Sequence, residues 1–149
     1  MPRKKVHRIT VYLLDTDRKR VLLQMCTDGP FISQYVPLSS DINEMETPVE
    51  TARKLIMNTT HLDCDFLGHN PALPLVLDEV SAKIFAPMHV QITHIDDTVD
   101  YVDYVYLAHA KVTPEYQEDG LIGWFGPTNL KNSPKHVKHI VHYILALLN

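Results

Sequence analysis

Residues 46 to 62, Glu-Thr-Pro-Val-Glu-Thr-Ala-Arg-Lys-Leu-Ile-Met-Asn-Thr-Thr-His-Leu, constrain this chain more than any other stretch. They carry a complete helix start. Thr47 at the N-cap accepts a backbone N–H through its hydroxyl, and Pro48 follows at the first helical position, where its missing N–H costs nothing. Glu50 falls three residues after the cap and closes a capping box. Val49, Ala52, Ile56 and Thr59 then recur along one side at helical spacing. The helix is expected to stop near His61 and Leu62, because Asp63-Cys64-Asp65-Phe66 reads as the start of an extended segment.

Around this helix the chain is mostly strand. Residues 6–15 are rich in β-branched and aromatic types, residues 15–19 form a polar turn, and residues 20–25 return as a second strand. Val21-Leu22-Leu23 is continuous rather than alternating, the mark of a strand buried on both faces. Gly29-Pro30 signals a turn, Tyr35 to Leu38 a short extended piece, and Ser39 to Met45 a polar loop. After the helix, residues 63–68 read as a strand, and residues 70–74 as irregular because of two prolines. Residues 84–95 read as a strand with Val90, Ile92 and His94 on one face, then Asp96-Asp97-Thr98 as a turn. Residues 101–112 read as a long strand, 114–120 as an acidic loop and 121–125 as a short strand with Trp124. Ser133-Pro134 opens a last helix with the stripe Val137, Ile140, Val141, Ile144, Leu145 and Leu148. This order predicts an α+β layered domain, with a mixed sheet between helices.

With 149 residues the chain is read as one domain, and its net charge of −4 gives no basic field for nucleic acid. The basic start Arg3-Lys4-Lys5 is read as a solvated end. No apolar run is long enough for a transmembrane helix and none makes a signal peptide, so no membrane partner is expected. Cys26 and Cys64 form no metal-binding pair by spacing, and a reducing, cytoplasmic setting is expected.

The order of elements resembles the Nudix hydrolase family (MutT-like). Its box reads G-x5-E-x7-R-E-U-x-E-E-x-G-U, with U aliphatic. Laid on this chain, the first glycine falls on Ser40, the first glutamate on Glu46, the Arg-Glu pair on Lys54-Leu55 and the next U on Ile56. The Glu-Glu pair falls on Asn58-Thr59, the second glycine on His61 and the last U on Leu62. Glu46-Thr47-Pro48 is similar to the usual opening of that helix, and Pro37-Leu38-Ser39-Ser40 stands where the family has Pro-Gly-Gly. Asp103 to Leu107 and Trp124-Phe125 also match later parts of the family pattern. The resemblance implies a single Nudix-like domain over residues 1–149, an α/β/α sandwich with a mixed curved sheet. It also implies Mg²⁺ or Mn²⁺ bound by helix glutamates, and hydrolysis of nucleoside diphosphates linked to another moiety. Here Leu55, Asn58 and Thr59 replace those glutamates, so the stretch that should attract a dication has lost its negative charge. Ser39 and Ser40 replace loop glycines, which implies another loop path or a turn held by the serine hydroxyls.

The expectation is therefore a Nudix-fold protein that has lost metal-dependent hydrolysis and keeps a cleft for a nucleotide-like or phosphate-bearing ligand. The candidate binding residues are Ser39, Ser40, Glu46, Lys54, Asn58 and Thr59. Lys54, no longer balanced by glutamates, is the candidate phosphate contact. No catalytic residue, metal ligand or cofactor is assigned. One alternative keeps the hydrolase, with Mg²⁺ or Mn²⁺ on relocated ligands drawn from Asp41, Glu44, Glu46 and Glu50 or from the aspartates at 96–103. Another is a protein-interaction module without a small ligand. Family members often pair, so a homodimer is also an expectation.

His136, His139 and His142 read as a solvated helix face, because metal pairs on a helix favour i, i+4 spacing. The aspartates at 96–103 read as turn formers, and Tyr101, Tyr104 and Tyr106 as half-buried packing. Glu115, Glu118 and Asp119 lie on the acidic loop.

Overall fold

The computed structural model describes residues 2–68, 87–117 and 120–148. The readings at 70–74, at 84–86 and at Glu118 and Asp119 lie outside the described residues. Strand β1 (Lys4–Leu14) is the spine of the sheet. It pairs antiparallel with β2 (Val21–Met25) across the polar turn and with β4 (Leu38–Asp41). On its other side it runs parallel to β7 (Val99–Ala110), in register from Lys4 opposite Val99 to Leu14 opposite His109. Beyond β7 lie β5 (Cys64–Phe66) and β6 (His89–His94), both antiparallel to it. Beyond β2 lie β3 (Tyr35–Val36) and β8 (Ile122–Phe125). The result is one open mixed sheet.

The period-2 alternation of β1 divides its side chains between two cores. Ile9, Val11 and Leu13 pack with Ala52 and Ile56 of helix α1 (Pro48–Thr60) on one face. Tyr12 and Leu14 pack with Val137, Val141, Ile144 and Leu145 of helix α2 (Lys135–Leu148) on the other. Leu22 serves the first core, while Val21 and Leu23 serve the second. The unbroken apolar run in β2 is thus explained by helices covering both faces. The expected sandwich of two helical layers around a mixed sheet is the one observed. Among the described residues, no helix is long and apolar enough to cross a membrane.

Helix α1 begins as its sequence requires. Thr47 Oγ1 accepts the Glu50 N–H at 3.2 Å, and Glu50 Oε1 accepts the Thr47 N–H at 3.3 Å. Its buried residues are Thr51, Ala52 and Ile56, with Val49 and Leu55 half-buried against the same core. Thr59, expected on that side, is exposed. The helix packs on β1 and β4 through its earlier turns, and Thr59 stands on the last one. His61 caps the end in the left-handed region at φ 58°, donating its N–H to Met57 O at 2.8 Å. Since glycine adopts that conformation without a Cβ clash, His61→Gly should raise stability by about 0.5–1 kcal/mol in urea unfolding.

Three local readings need correction. Arg3 does not belong to a solvated end, because its Nε donates to the buried Asp100 at 2.7 Å while Lys4 opens β1. Ser39 and Ser40 are not in a loop. They continue β4, opposite Thr10 and Ile9, and neither has a positive φ. Pairing with the spine strand holds this polar segment extended, so no glycine conformation is needed there. Ser133 precedes α2 as expected, but its buried hydroxyl makes no hydrogen bond among the described residues.

Candidate functional site

On the α1 side, Glu46 is 8% exposed at its side chain. Thr51 Oγ1 donates to Glu46 Oε1 at 3.2 Å, and the Lys54 ammonium closes on Oε2. That hydrogen bond and the carboxylate's charge hold the Lys54 pKa above its usual value. Lys54 itself is 70% exposed, so solvent screens the pair. Ser40 donates its hydroxyl to Asp41 O at 3.2 Å. Asn58 and Thr59 are exposed, and Leu55 turns inward to the core. A hard divalent cation wants several anionic oxygens. This face offers a packed leucine, two neutral side chains and one carboxylate already met by an ammonium, and these residues do not fit such an ion. Among the described residues, no three His, Cys, Asp or Glu side chains converge on a point where a metal would sit.

Several of the positions considered as relocated ligands have other engagements. Asp41 pairs with Arg8, and Glu50 closes the capping box. Asp96 accepts from the Thr98 and Val99 N–H groups, as a turn former should. Asp100 is buried, accepting from Arg3 Nε at 2.7 Å and bonded to His94 Nδ1 at 2.6 Å. Those two bonds, His94 first, draw its pKa down against the cost of burial.

The opposite face of the sheet holds a cavity of about 400 Å³. Four adjacent strands supply its wall. In one row across them lie Asp41 of β4, Arg8 of β1, Asp103 of β7 and Gln91 of β6. Beside that row stand Ser39, Thr10, Thr93 and Tyr101. Exposure falls along β1 from half-buried Arg8 to Thr10 and Tyr12, at 9% and 1%. The cavity therefore has a polar rim and a closed floor. Its far wall is the segment 26–31, and Phe31 meets the ring of His136 at 5.1 Å between centroids.

Arg8 donates from Nη1 to Asp41 Oδ1 at 2.7 Å and from Nη2 to Ser39 Oγ at 3.2 Å. Its guanidinium lies 4.4 Å over the Tyr101 ring. Asp103 is 8% exposed and accepts from Thr10 Oγ1 at 3.3 Å, and the nearby Thr93 side chain also favours its charged form. Burial pushes its pKa up, and the pull of Arg8 and the hydroxyls does not offset that cost. Burial, then the nearby Asp103, likewise raises the Tyr12 phenol. Burial lowers His136, although Asp103 opposes the shift. The floor thus sets a phenol, and an imidazole whose charged form burial disfavours, around one carboxyl group.

The six residues singled out from sequence are not one constellation. Glu46 and Lys54 meet on the α1 side. Ser40 faces that side by its register opposite Ile9, and Ser39 faces the cavity opposite Thr10. Asn58 and Thr59 meet neither group. Arg8, Thr10, Tyr12 and Asp103 went unrecognised as a group, as did His136, which is half-buried rather than solvated. His139 and His142 are exposed, as expected. The available signal was polar residues at alternate positions of otherwise apolar strands.

No family model and no curated protein matches this sequence. Solved structures do match. A hydrolase of the NUDIX family from Clostridium perfringens superposes with a TM-score of 0.74 at 18% identity, over 98% of this chain and 99% of that one. A MutT NUDIX hydrolase from Burkholderia pseudomallei gives 0.60 at 18%, over 98% and 99%. A UDP-X diphosphatase gives 0.60 at 10% identity, over all of this chain and 66% of its own. The architecture of this chain is therefore that of the Nudix hydrolases.

Proposed function

We propose that this protein is a Nudix-fold binding domain that does not carry out metal-dependent diphosphate hydrolysis and takes a nucleotide-like small molecule in the sheet-face cavity. One observation carries the reading. Where the resemblance calls for three helix glutamates, Leu55 is packed into the core, Asn58 and Thr59 are exposed, and nearby Glu46 is neutralised by Lys54. Lys54 is accordingly a structural partner of Glu46 in this reading rather than the phosphate contact. The cavity supports the binding half, since ligand sites are typically concave, mostly preformed and dressed with a few convergent polar groups.

Calorimetric titration with Mg²⁺ and Mn²⁺ should detect no micromolar site. In a thermal-shift panel of nucleosides and nucleotides, a true ligand at 100 times its Kd adds about 2.7 kcal/mol, or roughly 5–10 °C in melting temperature. Dinucleotide polyphosphates, nucleoside triphosphates and nucleotide sugars should remain intact with metal present. Turnover that disappears with chelator would overturn the reading and favour the hydrolase.

A further inference from the structure

We infer that Asp103 is the recognition group of the cavity and selects an amidine-type nitrogen head, a planar group with two adjacent N–H donors that is positively charged or strongly polarised. The inference rests on the ligand-binding reading of the cavity and names the chemistry it takes.

Geometry comes first. Asp103 sits mid-strand, in the centre of the row that crosses four strands. An ionised carboxylate has about four acceptor positions. Thr10 donates to it, and the remaining capacity faces the cavity that it lines. A forked pair of N–H donors is the natural complement of two carboxylate oxygens.

Charge points the same way. Arg8 is bonded to Asp41, so the cavity's cation already has its counter-ion. Ionisation of Asp103, with Asp28 on the facing segment, then leaves the cavity with excess negative charge. The titratable groups facing it are Arg8 and Tyr12 from β1, Tyr101 from its own strand and His136 from α2, with Cys26 and Asp28 on the facing segment and Asp41 behind Arg8. Gln91 and Thr93, the neighbours from β6, are uncharged. Burial disfavours the charged form of His136, which weakens its opposition to the excess. A phosphate or carboxylate placed against Asp103 meets like charge, whereas a cationic or polarised nitrogen head meets its partner there. Phe31 and Val105 supply apolar wall for the ring that bears such a head.

Linkage follows. Burial holds the proton on Asp103 beyond the ordinary carboxylate range, and an incoming cation favours losing it. Affinity for a permanently charged head must therefore rise with pH and level off once Asp103 is ionised in the free protein.

Three probes of one shape test this: benzamidine, benzamide and benzoate, titrated into the full chain by ligand-observed NMR. Benzamidine should bind at least about tenfold more tightly than benzamide, the ratio expected when a hydrogen bond to a charged group is gained. Benzoate should not bind measurably. Asp103→Asn should bring benzamidine down to the benzamide level and flatten the pH profile. Thr10→Val keeps the carboxyl but removes its hydroxyl donor, so it should move the pH profile upward while preserving the order of the probes. It also serves if Asp103→Asn does not fold. Equal affinities, a preference for benzoate, or an unchanged preference in Asp103→Asn would overturn the inference. Nucleotide binding with no benzamidine binding would sink the inference alone. Benzamidine binding with no nucleotide binding would sink only the nucleotide part of the functional reading, and silence from both series would remove both.

Discussion

Replacing Ile56 by alanine lowers stability by about 3 kcal/mol, near the middle of the range for truncating a buried aliphatic side chain. Ile56 has no exposed surface and joins Ile9, Val11, Leu38 and Ala52 in the core that seats α1 on the sheet. The alanine leaves a void between helix and sheet, and backbone hydrogen bonds hold both walls in place. Two substitutions on the same helix form the contrast. Asn58 and Thr59 are exposed, so Asn58→Ala and Thr59→Ala should stay within about 0.5 kcal/mol of the parent. Neither should alter ligand binding in the cavity. Urea unfolding with constant slope measures all three. A large loss of binding from Asn58→Ala or Thr59→Ala, with stability intact, would return function to the helix and remove it from the opposite face.

Much of this fold was legible because local rules and tertiary packing agree in it. The capping box set the start of α1 to the residue, since its two hydrogen bonds lie within four consecutive positions. The apolar run in β2 and the stripe on α2 announced burial through period and continuity alone. Ser39 and Ser40 read as loop because the polar run Ser39-Ser40-Asp41 has no local reason to be a strand. Its extended shape is imposed by hydrogen bonding to β1, some thirty residues earlier. The parallel pairing of β1 with β7 has the same origin, because nothing in either segment names the other.

The candidate site divides in the same way. Glu46 and Lys54 lie eight residues apart, on one helix and its lead-in, yet the motif leaves Lys54 unbalanced and only the folded helix start brings the two together. The cavity is assembled from β1, β4, β6, β7 and α2, so each contributor looked ordinary alone. Asp103 stood among strand tyrosines and was grouped with turn-forming aspartates. Only pairing with β1 and β6 turns it from a loop-like acid into a buried one facing a void. His136 was grouped with His139 and His142 by spacing. The segment 26–31 packs over the helix start, which separates His136 from its exposed neighbours.

Asp15→Ala should cost about 2 kcal/mol, less than Ile56→Ala and more than any exposed substitution, because it removes several bonds from one buried acceptor. The Asp15 side chain is 2% exposed and ends β1 where the chain reverses. Its Oδ1 accepts the Lys19 N–H at 2.9 Å and the Arg20 N–H at 3.2 Å, while Oδ2 accepts from Arg20 Nε at 3.0 Å. Together these bonds hold a turn in which Arg18 sits at φ 58°, a conformation a non-glycine residue needs help to keep. The guanidinium contact contributes least, since Arg20 is 48% exposed and solvent screens it. Asp15→Asn therefore isolates the two contributions. Its amide oxygen still serves the backbone N–H groups, so the loss should be about 1 kcal/mol or less. Amide exchange at Lys19 and Arg20 should accelerate in the alanine variant and stay slow in the asparagine variant. The consequence reaches the cavity, because Tyr12 and Gln24 line it from the two strands this turn connects. Equal losses from both variants would instead assign the turn's stability to the ion pair.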